Sequence, residues 1–155
     1  MTTSGTATPD TCKECKIDQV ALRKYDADVV DYLNAAQSAF HCVAEVTARL
    51  VKHGFEVLDE RKAWTIKPNG KYIVTRNGSS LCAFAVGGKF DAETSGAICV
   101  GAHTDSPCPK LKPVSKLEKS DAKMLGVVGY GGGIWHSWFD RDLTLVGRAL
   151  ARRGG

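Results

Sequence analysis

The chain has 155 residues, 43% of them hydrophobic and 25% charged, with a formal net charge of +4. That composition is ordinary for a globular protein and excludes a disordered chain or a collagen-like repeat. No apolar run approaches the roughly 20 residues that a membrane-spanning helix requires, and Met1 to Pro9 lack the apolar core of a secretory signal, so a soluble cytoplasmic protein with no membrane partner is expected.

Residues 1–24 read as a polar lead-in without clear periodicity. From Asp28 a short apolar stripe of Val29, Val30 and Leu33 predicts a helix ending near Asn34. Ser38 is placed to cap a second helix. Its core face is Phe40, Val43, Ala44, Thr47, Leu50 and Val51, which recur at helical spacing up to the stop at Gly54. Beyond it the period becomes two. Phe55 with Val57, and Trp64 with Ile66, suggest short extended pieces. Tyr72 to Arg76 and Leu81 to Val86 flank Asn77-Gly78, a strong hairpin signal.

The run Ala97 to Ala102 is compact and apolar, as a strand buried on both faces would be. Three further strands are expected over Lys110–Lys116, Met124–Tyr130 and Leu143–Ala151. A helix laid on such a sheet gives an α/β layer.

Six cysteines fall at positions 12, 15, 42, 82, 99 and 108. Cys82 and Cys99 sit in apolar runs, where free cysteine behaves as a small buried hydrophobe. Without a secretory signal, reduced thiols are expected. Cys12 and Cys15 form a lone C-x-x-C, and no second pair lies nearby to complete a four-ligand zinc site. Lys110, Lys112, Lys116, Lys119 and Lys123 concentrate positive charge in the last third. They read as lysines guarding exposed strand edges. No aromatic-interleaved basic motif points to nucleic acid.

The residues that point to chemistry are His103 and Asp105, in Gly101 to Pro107 (GAHTDSP). In extended chain, side chains at i and i+2 share a face, so both can project from the carboxyl end of a strand, where ligand sites of open α/β sheets gather. A neutral imidazole there is a good zinc ligand, and a neighbouring carboxylate could orient the ring or raise its basicity. The plainer reading makes His103 a hydrogen-bonded turn residue and Asp105 a cap. Asp140 and Asp142, flanking Arg141, read as one strand face held in an ion-pair network. His136 is expected to pack with Trp135 and Trp138. His41 and His53 are expected to be helix residues, His53 at the favourable negative end of the dipole.

Three blocks, GAHTDSP at 101–107, YGGGIWHSWFDRDL at 130–143 and SAFH at 38–41, together resemble the aspartyl aminopeptidase family. The run WTIKPNGKYIVTR at 64–76 and FAVGG at 84–88 match in kind and order, so the likeness extends over roughly residues 27–150. Ala39 replaces a common proline, and Val128 stands where an acidic residue is usual.

The resemblance implies an enzyme that removes amino-terminal Asp or Glu from peptides, using two zinc ions in a cytosolic homo-oligomer. It implies an α/β zinc-peptidase sandwich over residues 25–107, with its β-rich, subunit-contacting insertion beginning just after Pro107 and occupying 108–155. His103 would be a zinc ligand, and Asp105 the companion carboxylate among the catalytic residues. The bridging aspartate, the general-base glutamate and the other ligands would come from later sequence, so this chain alone is expected to be inactive. The competing expectation is a non-catalytic subunit that keeps the lobe for assembly.

Overall fold

The computed structural model describes residues 19–119 and 121–152. Cys12 and Cys15 lie outside the described residues. Two helices come first, α1 (Gln19–Ala35) and α2 (Ala39–Lys52). The first begins well ahead of Asp28, so residues 19–24 of the expected lead-in are helical. Its exposed Val20, Val29, Val30 and Leu33 carry too weak a stripe to mark that start.

The second helix has the boundaries its punctuation dictates. Ser38 is extended, at φ −144° and ψ 167°, and its Oγ accepts from the His41 backbone N–H. Gly54 ends the helix at φ +84°, a conformation that suits a residue without Cβ. Its backbone N–H donates to the Val51 carbonyl at 3.0 Å. Buried Cys42 sits 3.2 Å from the Tyr32 hydroxyl of α1. Arg49 joins the two helices as well, reaching Asp28 and Glu45 at 2.7 Å each.

Three strands form the first sheet: β1 (Glu56–Leu58), β2 (Lys71–Arg76) and β3 (Ser80–Ala85), in that order. β1 runs parallel to β2, and β3 antiparallel, with Tyr72 opposite Phe84 and Arg76 opposite Ser80. The β2–β3 hairpin turns at Asn77 (φ 54°) and Gly78 (φ 65°), the two left-handed residues that such a turn demands. Among the described residues the buried hydrophobics are Cys42, Val43, Tyr72 and Ile73, which places the core between α2 and the central strand. Trp64 and Ile66 make no strand. Trp64 instead donates its indole N–H to the Asp59 carbonyl at 2.8 Å and leans on Phe84.

A second, two-stranded sheet pairs β4 (Cys108–Lys119) with β5 (Ala122–Tyr130). The register shifts between Leu111 and Lys116. Pro113 lies in that stretch, and a residue without an N–H breaks a ladder there. The lysines of β4 and β5 are exposed, as edge protection requires. A 3-10 turn, Trp135–Trp138, follows.

Two expected strands are absent among the described residues. Residues 97–102 carry no strand pairing, and Ile98 and Val100 are 98% and 94% exposed. An apolar run becomes a buried strand only where other strands flank it, and none does so here. Cys99, in that run, and Cys82, on the edge strand β3, are exposed rather than buried. Cys42, Cys82, Cys99 and Cys108 are free thiols.

Residues 143–151 are also unpaired, yet the segment is tethered. The Arg148 guanidinium donates to the Asn77 carbonyl at 2.8 Å and lies 4.2 Å over the Phe40 ring. Asp140 and Asp142 share no strand face and make no ion pair among the described residues. Asp140 instead takes φ 54°.

Candidate functional site

The segment Gly101 to Pro107 leads into β4 as a bent loop. It is held at three points. Thr104 donates its hydroxyl to the Ser79 carbonyl at 2.7 Å, fastening the loop to the β2–β3 turn. Asp105 accepts from the Tyr130 hydroxyl through Oδ2. Pro107 lies under Gly131, where an added Cβ would come within 3.3 Å of its ring.

His103 and Asp105 do come together, though through this bend rather than through strand alternation. His103 Nδ1 stands 2.6 Å from the Asp105 backbone carbonyl. A carbonyl oxygen only accepts, so Nδ1 carries the proton. In a neutral ring of that tautomer the lone pair is on Nε2, and the side chain is 77% exposed. The carbonyl makes the shorter contact, with Asp105 Oδ1 also 3.5 Å from Nδ1, while Oδ2 is the oxygen that accepts from Tyr130.

The Tyr130 hydrogen bond, reinforced by Asp105's own backbone N–H, holds this carboxyl below the usual carboxylate range. The same bond and the carboxylate charge push the Tyr130 phenol upward. Lys110 completes the group, with its ammonium 3.4 Å from the centroid of the Tyr130 ring.

Tyr130 and Lys110 do not emerge from the sequence reading. The signal that could have found them is strand pairing. Cys108 lies opposite Tyr130 in the β4–β5 ladder, which puts Tyr130 beside the residues just ahead of β4. His136 is exposed in its 3-10 turn. Trp135 packs instead over Gly129 and Gly133. His41 bonds the capping Ser38 through its ring at 2.8 Å, and His53 ends α2. No helix among the described residues is long and apolar enough to cross a membrane.

The family description "Aminopeptidase I zinc metalloprotease (M18)" matches residues 32–155. The chain belongs to the M18 family. Among M18 relatives, a probable aspartyl aminopeptidase of Ricinus communis is 49% identical over 127 residues, which cover 82% of this chain and 26% of that protein. Aspartyl aminopeptidase 4 of Saccharomyces cerevisiae is 46% identical over 142 residues, 90% of this chain and 28% of the relative. The M18 chain thus spans little more than a quarter of the curated relatives it matches.

Solved structures carry the same fold. A cryo-EM structure of the Ape4 and Nbr1 complex superposes with a TM-score of 0.72 at 38% identity, over 79% of this chain and 23% of that one. The S. cerevisiae mApe1 dodecamer gives 0.69 at 31% identity, over 79% and 28%. The architecture is that of the α/β zinc aminopeptidases.

Zinc is the metal of the M18 family. His103 fits it as one nitrogen donor, because Nδ1 is held by the Asp105 carbonyl and the side chain is exposed. Among the described residues, no group of three or more His, Cys, Asp or Glu could hold a metal ion. Since zinc takes about four ligands, His103 fits as a contributor to a centre and not as the whole of one.

Proposed function

We propose that this chain is the amino-terminal part of a zinc aminopeptidase that removes Asp or Glu from peptide amino termini, with His103 as one zinc ligand and Asp105 as the group that sets its ring. The observation that carries this reading is the exposed His103 imidazole, with Nδ1 tied to the Asp105 carbonyl at 2.6 Å, in a chain of the M18 family. Several relatives bear the name aspartyl aminopeptidase, which supports the choice of acidic amino termini.

When bound, zinc supplies Lewis-acid polarisation of a scissile carbonyl and lowers the pKa of water. The part played by this chain is to present a neutral imidazole in one orientation. The Asp105 carbonyl fixes the tautomer, and the Asp105 carboxylate is kept ionised by its hydrogen bonds. Two zinc ions per complete site, the remaining ligands and the general base belong to sequence outside this chain in the same reading.

Residues 25–107 form the catalytic portion and 108–155 the start of the β-rich assembly lobe. The change of sheet at Cys108 supports that division. The complete protein is read as a cytoplasmic homo-oligomer. The dodecamer of a related aminopeptidase and the bare apolar side chains of Ile98, Val100 and Leu150 support assembly.

The test is turnover of an aspartyl-peptide reporter with added zinc. The isolated 155-residue chain is expected to be inactive. In the intact polypeptide carrying this sequence, His103→Ala is expected to abolish turnover while the particle stays assembled by size-exclusion chromatography. Retained, chelator-sensitive turnover in that variant would remove the metal role from His103.

A further inference from the structure

The β2–β3 turn does more than reverse the chain. Asn77, Gly78 and Ser79 lie between the paired strands, with Asn77 and Gly78 at φ 54° and 65°. Outside the ladder, the Asn77 and Ser79 carbonyls accept from side chains instead of from a neighbouring strand. Ser79 accepts from the Thr104 hydroxyl at 2.7 Å. Asn77 accepts twice from Arg148, with Nη1 on its carbonyl at 2.8 Å and Nη2 on its Oδ1 at 3.2 Å. Thr104 stands just ahead of β4, and Arg148 lies beyond both β5 and the 3-10 turn. One turn of the first sheet therefore holds the chain where it departs for the second sheet and again where it comes back.

Arg148 is the more selective of the two anchors. Its planar guanidinium presents donors in a fixed fork, which here meets two acceptors of a single residue. Its Cζ also lies 4.2 Å from the centroid of the Phe40 ring, in the first turn of α2. The surrounding segment 143–151 has no strand pairing, and Leu145 and Leu150 are exposed. Apolar packing thus does little to keep the segment in place, and the fork and the ring face are left to do it.

We infer that Asn77 and Phe40 form a socket for Arg148, and that this contact is the latch that closes the 105–147 excursion onto the first sheet. A latch of this size suffices for a physical reason. β4 and β5 already pair with each other, so the excursion is a stiff hairpin rather than free coil. Pinning its two ends to the same turn then loses little further chain entropy. The latch does not depend on the metal role of His103.

In the intact polypeptide, cleavage within 143–151 by a leucine- and aromatic-directed protease reads how often the segment is released, because the protease samples the open form. Arg148→Ala should be cut there about tenfold faster, the size of a charge-assisted bond and a stacked ring partly screened by solvent. Arg148→Lys keeps the charge but loses the fork, and should be cut nearly as fast. Asn77→Gly keeps the left-handed turn and removes only Oδ1, so about a two- to threefold acceleration is expected. Joined to Arg148→Ala, it should add nothing, because both changes act through one contact. Cutting in α2 and β2 should stay at the wild-type rate throughout.

Wild-type cutting within 143–151 in Arg148→Ala, or in Arg148→Lys, would overturn the latch. Effects that multiply in the double variant would overturn it too, since the two residues would then act apart. Faster cutting in α2 and β2 alongside 143–151 would mark a general loosening and overturn it as well.

Discussion

The three consecutive glycines after Tyr130 differ in what they do, and an alanine scan separates them. Gly131 is the constrained one. At φ +78° it lies in the left-handed region, and an added Cβ would stand 3.3 Å from Pro107 Cβ and Cγ and 3.4 Å from its Cα. The left-handed conformation costs a residue with a Cβ about 1–2 kcal/mol, and forcing extra volume into a packed contact costs about 1–3 kcal/mol. Alanine also stiffens the unfolded chain, which returns about 0.4–1 kcal/mol.

Gly131→Ala should therefore destabilise by about 1–5 kcal/mol. Gly132 has an ordinary φ and nothing within 4 Å of its would-be Cβ, so Gly132→Ala should be neutral or slightly stabilising. Gly133 falls between. Its φ is ordinary, but its Cβ would meet the Trp135 indole at 3.0 Å, and the cost depends on how far that ring can slide. Urea denaturation followed by tryptophan fluorescence measures all three, because Trp135 and Trp138 lie within the block. Equal midpoints for Gly131→Ala and Gly132→Ala would refute the packing of Gly131 on Pro107.

Two further substitutions test local structure. Ser38→Ala removes the oxygen that accepts from the His41 N–H at 3.4 Å and bonds its ring nitrogen at 2.8 Å. It should cost about 1 kcal/mol, read as a lower denaturant midpoint at unchanged slope. Asp91 accepts from the Thr94 hydroxyl, the Thr94 N–H and the Glu93 N–H at 2.8, 2.9 and 3.0 Å. Those bonds hold its folded-state pKa below the ordinary carboxylate value. Its stabilising effect is thus present above the unfolded value of about 3.9 and fades as pH falls through the depressed folded value. Acid titration of stability should show the gap between wild type and Asp91→Asn closing over that window. A gap independent of pH would refute the turn's reliance on the charged form.

What was legible in the sequence divides along a physical line. Features whose causes are local could be read directly. The α2 helix carries its own apolar face, its cap in Ser38 and its stop in Gly54, and the structure has it over Ala39–Lys52. Asn77-Gly78 fixed a hairpin because left-handed backbone is needed at both positions and these two residues tolerate it. The nearness of His103 to Asp105 was also legible, since two residues apart they could hardly be distant. Which atom of Asp105 holds the ring was not. Nor was the Tyr130 hydroxyl on its carboxylate, which comes from 25 positions along the chain and arrives only through the β4–β5 register.

The failures share one cause. A run such as Ala97 to Ala102 states what surroundings its side chains favour, because removing each Å² of apolar surface from water gains about 25 cal/mol. It does not state which segment provides them. Here the flanking strands are absent among the described residues, and Ile98 and Val100 stay bare. The segment 143–151 shows the same dependence from the other side. Its apolar residues found no strand partner, yet Arg148 found Asn77 and Phe40. A guanidinium needs only a carbonyl and a ring face, whereas a strand needs a whole neighbouring edge. Point contacts of this kind form wherever two loops meet. Sheet membership waits on the full set of strands.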